Sequence, residues 1–280
     1  MLKRKQILFY GLAIGLLAFL AVFSRNDLLI SLALYDHDSL FGLFFAMFGE
    51  WPLHAAFLLA ATYLFLTRPQ ENRLLNGIGC WVWGLSSILG AYCAGVVPAL
   101  YFLQFKRAEI PPMLYLVILP VLILAVFIAR KLMKKQALTW RKNAQTIVLY
   151  FYLAYLSAYA IKYPWGRLRF RDMRQPAREF TAWYLPQGFT GNQSFVSGHT
   201  LNACFGLLLV AVMMSTFPQL HAKGKYLELL AAIWIILVAW SRIVCGAHFA
   251  SDVIMGAILG VTLFLALKKT GAGKSSIFAI

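Results

Sequence analysis

The chain has 280 residues, of which 61% are hydrophobic and 13% charged, with a mean hydropathy of +0.72. A soluble domain carries about 45–50% apolar and about 25% charged residues, so too little polar surface is left to coat a globule of this size. The formal charge of +16, from 26 Lys and Arg against 10 Asp and Glu, would suggest nucleic acid in a soluble protein; in a membrane chain, basic residues instead gather in cytoplasmic loops and helix flanks, and no nucleic acid is expected.

A membrane span needs about 20 mostly apolar residues. Eight stretches reach or approach that length, at 7–23, 51–67, 75–104, 112–130, 146–163, 197–216, 226–244 and 249–267. The fold class they imply is all-α, a polytopic membrane helical bundle of about eight transmembrane helices. The first stretch follows MLKRKQ and imitates a signal peptide, but no A-x-A-like site separates it from SRNDLL, so it reads as an uncleaved helix. The stretch 38–48 is short for a span and reads as interfacial or re-entrant. The third span is long enough to tilt or protrude, with Pro98 as a candidate kink.

Gly11/Gly15 and Gly256/Gly260 make two GxxxG spacings, which read as close helix packing in preference to a dimer signal. Cys80, Cys93, Cys204 and Cys245 all sit in apolar stretches and form no CxxC pair. They read as small buried hydrophobes, neither a disulfide framework nor a zinc site.

Eight spans return both termini to one side. That side holds sixteen of the 26 Lys and Arg residues, which makes it cytoplasmic. Of the ten on the outer side, seven fall in or beside the loop 164–196: Lys162, Arg167, Arg169, Arg171, Arg174, Arg178 and Arg242. Positive charge concentrated against the usual bias calls for an anion, either a bound ligand or the anionic headgroups of membrane lipids. Phe180, Trp183, Tyr184 and Phe189 in this loop read as interfacial anchors, or as lining for a lipid tail.

Three patches flank the loop at the same outer level. They are Lys162 with Arg169 seven residues on, Ser197-Gly198-His199 at the mouth of the sixth span, and Ser241-Arg242 followed by His248 and Asp252. Lys162, Arg169 and Arg242 offer fixed positive charge and a fan of donors suited to phosphate oxygens. Ser197 and the backbone N–H groups near Gly198, where a helix is expected to begin, add neutral donors at a positive dipole end. Charge-assisted hydrogen bonds contribute about 1.5–3 kcal/mol each, so several together hold a phosphoryl group and stabilise its transition state.

His248 and Asp252 are spaced i, i+4 on the expected eighth helix, so the carboxylate is placed to accept from one ring nitrogen and leave the other free to attack. His199 is the second titrating group, suited to protonate a leaving oxygen and then activate water. His37, His54 and His221 read as structural. Zinc held by His199, His248 and Asp252 is the competing use of the same side chains. Three cations converging there argue against a dication, and no metal or other cofactor is expected.

These patches resemble the signature of the type 2 phosphatidic acid phosphatase family, membrane lipid phosphatases related to bacterial acid phosphatases and vanadium haloperoxidases. The family pattern is K-x6-R-P, P-S-G-H and S-R-x5-H-x3-D. Lys162 and Arg169 match the first element, with Phe170 in place of its proline; Ser197, Gly198 and His199 match the second, with Val196 in place of its proline; Ser241, Arg242, His248 and Asp252 complete the third. Arg167 and Arg171 alternate with Arg169, so spacing alone selects which arginine reaches the phosphate.

The resemblance covers 162–252 and implies a six-helix phosphatase core in which His248 forms a phosphohistidine without metal. It also implies His199 as general acid and Asp252 as orienting group. By this template residues 74–268 form the core, 1–73 a two-helix addition in front, and 269–280 a cytoplasmic tail. The expected activity is hydrolysis of a lipid phosphate or isoprenyl diphosphate at the outer face of the plasma or inner membrane. Phosphotransfer to another hydroxyl, and non-catalytic transport or binding of a phospholipid, are the alternatives. The substrate's identity and the oligomeric state are not encoded in these motifs.

Overall fold

The structure, a computed structural model, describes residues 2–68, 73–133 and 137–268. The expected tail at 269–280 lies outside the described residues, as do the surroundings of Gly11 and the side chains of most of the expected first span; a Cβ at Gly15 would meet nothing within 4 Å among the described residues, so no close packing occurs there. No strand occurs among the described residues, which follows from the solvent: hydrocarbon offers no partner for backbone polar groups, so each segment satisfies its own as helix.

In chain order the helices are α1 (Leu2–Leu34), α2 (Leu40–Phe48), α3 (Trp51–Leu66), α4 (Arg73–Ala91), α5 (Val97–Phe105), α6 (Ile118–Met133) and α7 (Ala137–Trp165). After a long loop containing the one-turn α8 (Pro176–Glu179) come α9 (Gly198–Ala203), α10 (Phe205–Thr216), α11 (Gly224–Val244) and α12 (Ala250–Leu267). Seven helical runs among the described residues are long and apolar enough to cross a membrane, and the chain is a multi-pass membrane protein. The helix α1 stands in front of these seven and packs along α12.

Three sequence expectations change in the structure. The stretch 38–48 is an ordered helix, α2, capped by Ser39 and separated from α3 only by Gly49 and Glu50; it packs against α5 and α11 with Gly42 and Phe45 buried. It therefore belongs to the bundle. The irregularity attributed to Pro98 appears one turn earlier, as a π turn over Tyr92–Val96, because Pro98 has no N–H to continue the α-helical ladder. Among the cysteines, Cys93 and Cys204 are buried as expected, whereas Cys80 is exposed on α4 and Cys245 is half-buried.

The core lies where α3, α7, α9, α10 and α12 meet. Phe57 of α3 stacks on Phe151 of α7 at 3.7 Å, and Leu53, Leu201, Phe205 and Leu208 are fully buried around them. The Gly256/Gly260 pair is a close intramolecular contact. A Cβ at Gly256 would sit 2.5 Å from the Ser197 carbonyl oxygen, and one at Gly260 would sit 2.7 Å from that of Leu201. This proximity holds the start of α9 against α12.

Two other glycines turn the chain into the loops above this core. Gly166 (φ +59°) ends α7 by donating to the Lys162 carbonyl, and Gly246 (φ +63°) follows α11 by donating to that of Ile243. The left-handed conformation suits glycine at a helix C-terminus, and here it releases the chain toward the residues singled out above.

Candidate active site

A cavity of about 500 Å³ opens among α2, α5, the ends of α7 and α11, and the start of α9. Six of the eight predicted site residues line it: Lys162, Arg169, Gly198, His199, Arg242 and His248. Five cations face it, the other two being Arg107 and Arg171, against the carboxylates of Glu50 and Asp172. The positive excess suits an anion.

Each cation is fixed differently. Lys162, in the last turns of α7, is buried and donates from Nζ to the Gln193 carbonyl at 2.8 Å. Arg242, near the end of α11, donates to the Gly42 carbonyl at 2.5 Å and to Ser241 Oγ at 3.1 Å. Arg169 has a buried Nε with no partner among the described residues. A half-buried guanidinium with an unused, buried Nε–H facing a cavity is a place for an oxyanion. Phe170, at the position of the family's proline, is buried with its ring edge-on to Tyr35 at 5.2 Å, and Val196 is fully buried.

His248 lies in the turn between α11 and α12 and is buried. Its Nδ1 is 2.5 Å from the Ser194 carbonyl oxygen, which can only accept, so Nδ1 carries the proton and the neutral ring keeps its lone pair on Nε2. Burial, reinforced by the charges of Lys162, Arg169 and His199, holds its pKa well below the usual histidine value. The backbone hydrogen bond opposes this without overturning it.

Asp252 does not make the bond to His248 expected from i, i+4 spacing. That spacing assumed both residues on one helix, but α12 begins at Ala250, after His248. Asp252 becomes the third residue of the helix and accepts from the Phe249 N–H, a capping arrangement, with its Oδ2 3.9 Å from His248 Nδ1. Its carboxylate also accepts from Ser194 Oγ at 2.6 Å and Arg167 Nη1 at 2.5 Å. Asp252 thus reaches His248 through Ser194, and with its oxygens so engaged the trio with His199 offers zinc no free carboxylate. No metal-ligating cluster of three or more His, Cys, Asp or Glu occurs among the described residues.

Ser197 likewise stands behind the cavity wall. It caps α9, accepting from Thr200 N–H at 3.3 Å and sharing a hydrogen bond with the Thr200 hydroxyl, while its own N–H donates to the Asp252 carbonyl. Gly198 and His199 are the first residues it presents to the cavity. His199 places Nε2 3.3 Å from the Ala46 carbonyl and 3.7 Å from a Glu50 oxygen, with Tyr101 edge-on to its ring at 5.6 Å.

Of the three arginines 167, 169 and 171, the last two line the cavity. Arg167 points the other way, fully buried between Asp252 and Asp27 of α1, with the Phe249 ring 4.1 Å from its guanidinium. The loop aromatics divide as well. Phe180 packs on Phe249 at 5.3 Å and Trp183 stacks on Phe195 at 5.7 Å, leaving Tyr184 and Phe189 exposed. Among the remaining histidines, His54 is buried and bonded to the Tyr155 hydroxyl, whereas His37 lies at the rim of the cavity.

Sequence reasoning missed Glu50, Asp27 and the placement of Arg167. A signal was present for Glu50, the lone carboxylate of an apolar, helix-forming run, because an ionisable residue in such a setting is a functional candidate by default; Asp27 follows Arg25 and Asn26 and reads as part of a polar flank.

The PAP2 superfamily profile matches residues 144–274. Phosphatidylglycerophosphatase B of Bacillus subtilis (strain 168) is 36% identical over 86 residues, 30% of this chain and 42% of that protein. Undecaprenyl-diphosphatase of Sulfolobus acidocaldarius is 30% identical over 120 residues, 43% of this chain and 51% of that protein. The chain therefore spans about half the length of the curated relatives it matches. No solved structure matches it significantly.

Proposed function

We propose, for a chain whose residues 144–274 match the PAP2 superfamily, that it is a lipid phosphatase hydrolysing a lipid phosphate or diphosphate without a metal. Both relatives are named for lipid phosphate or diphosphate substrates, and the cavity's excess of cations suits that class. The observation that carries the mechanism is the tethered His248: Nδ1–H is spent on the Ser194 carbonyl, leaving the Nε2 lone pair on a ring that lines the same cavity as Lys162, Arg169 and Arg242.

In this reading the three cations bind the phosphoryl oxygens and Nε2 of His248 attacks phosphorus. The N–P bond forms as the P–O bond to the lipid leaving group breaks, and His199 delivers the proton that the departing oxygen needs. The ring now carries phosphorus on one nitrogen and hydrogen on the other, and is cationic. His199 then takes a proton from water, whose oxygen attacks phosphorus and releases inorganic phosphate and neutral His248. Asp252 supports the ring through Ser194.

The basic residues away from the cavity favour cytoplasmic termini, and hence a site on the outer face of the plasma or inner membrane. Residues 74–268 then carry the family's motif residues, with α2 and α3 of the segment before them completing the cavity wall and the core. The test is phosphate release from a panel of lipid phosphates by detergent-purified protein. Release that persists in EDTA, stops with vanadate and is lost in a folded His248→Ala variant is the expected result. Full turnover by that variant would remove His248 as nucleophile, and binding of phospholipid without release by the wild type would favour a carrier.

A further inference from the structure

The buried ion cluster behind His248 includes a residue that no part of the matched segment contains. Asp27, near the end of α1, is fully buried and makes three bonds to the machinery. Its Oδ2 accepts from Arg167 Nη2 at 3.0 Å and from Ser251 Oγ at 2.5 Å, and its Oδ1 accepts from the Ser251 N–H at 2.9 Å. Arg167 in turn donates to Asp252 and Ser251, and Asp252 reaches His248 through Ser194.

We propose that Asp27 is a positioning residue for the nucleophile, holding Arg167 and the first turn of α12 so that Asp252 keeps its charge and place behind His248. This rests on the phosphatase reading above. The argument is electrostatic as well as geometric. One guanidinium lies between two carboxylates, so the cluster carries a net negative charge on the side of His248 away from the cavity.

With Asp27 neutral, Arg167 would bear on Asp252 alone, cancelling that field and drawing the carboxylate away from Ser194. The cost would fall when His248 becomes the cationic phosphohistidine, because a fixed negative neighbour stabilises a charge that develops during reaction. Simple glue between helices would not need this arrangement. An apolar pair of similar volume fills such a space at no loss of stability, and often with a gain.

Asp27 does not line the cavity, so its loss should leave substrate binding intact. In Asp27→Asn the expected result is a fall in kcat of about 10–100-fold, the usual range for losing a supporting partner of a catalytic group. KM should stay within about twofold, because the missing interaction acts after binding. Retained vanadate binding would establish that the variant is folded.

A second readout needs no turnover. In protein with 15N-labelled histidine, His248 should be the Nδ1–H tautomer in the wild type and shift toward Nε2–H in Asp27→Asn. Wild-type kcat, or a loss carried wholly by KM, overturns the proposal. If Asp27→Asn does not fold, Ser251→Ala removes one of the three bonds and is read the same way: lower kcat at unchanged KM supports the proposal and wild-type kcat overturns it. If the wild-type chain releases no phosphate from any lipid, it is the phosphatase reading that fails. The tautomer then decides this proposal alone, a shift supporting it and unchanged ring signals overturning it.

Discussion

A neutral imidazole at position 248 is what burial among cations leaves. Because its pKa is held below the ordinary histidine value, the ring stays unprotonated as pH falls through that value and becomes cationic only at more acid pH. An NMR titration of the ligand-free protein should therefore place the His248 midpoint below about 6.5, and a midpoint at or above it would contradict the burial described. The carboxylate beside His199 leads to a second expectation. Glu50→Gln keeps an acceptor for Asn202, which donates to Glu50 at 2.6 Å, but removes the negative charge from His199. It should lower kcat about 10–100-fold, as loss of a partner to a catalytic group does, and an unchanged kcat would reduce Glu50 to a packing residue. At this scale the sequence disclosed side chains whose chemistry is unusual in an apolar chain, His199, His248 and the basic set. It did not disclose the two acids that support them, because Asp27 comes from α1 and Glu50 from the residue before α3, far away along the chain.

Helices were legible because hydrocarbon leaves the backbone no other choice, and their apolar lengths mark the spans. Their junctions were harder to read. The start of α12 moved past His248 because Asp252 caps it, and the short α2 earned its place through packing against α5 and α11 that no local pattern encodes. The α9–α12 contact is testable at Gly256. A methyl there would meet the Ser197 carbonyl oxygen at 2.5 Å with backbone on both sides, so the helices themselves must part. Gly256→Ala should destabilise the protein by about 1–3 kcal/mol, the usual cost of overpacking. It should also lower kcat, since Ser197 caps the helix that begins with Gly198 and His199. A wild-type melting temperature in detergent would show that the two helices have slack.

For the molecule as a whole, the cavity residues come from separate segments spread between Tyr35 and His248, while the opposite end of the bundle collects Arg68, Arg141 and Lys223. The proposed sidedness rests on this separation and can be measured directly. In a background with the four native cysteines replaced by serine, Phe189→Cys, at a position 84% exposed in the loop beside the cavity, should react with an impermeant maleimide added outside intact cells. Lys225→Cys, near the start of α11, should react only after the membrane is opened. The reverse pattern would turn the protein over and put the site in the cytoplasm.

The placement of Asp27 also bears on how the protein is made. Asp27 and Arg167 are 140 residues apart in sequence, an interval of about 7–28 s at a synthesis rate of about 5–20 residues per second. Throughout that interval the nascent first helix holds a carboxylate whose guanidinium has not yet been translated, and Ser251 arrives later still. The charge meets its partner only once the loop after α7 has been made, and the two Ser251 bonds follow as α12 docks. A ribosome that stalls before Arg167 therefore leaves an unpaired acid in α1, a feature that separates the early unfinished chain from the finished one.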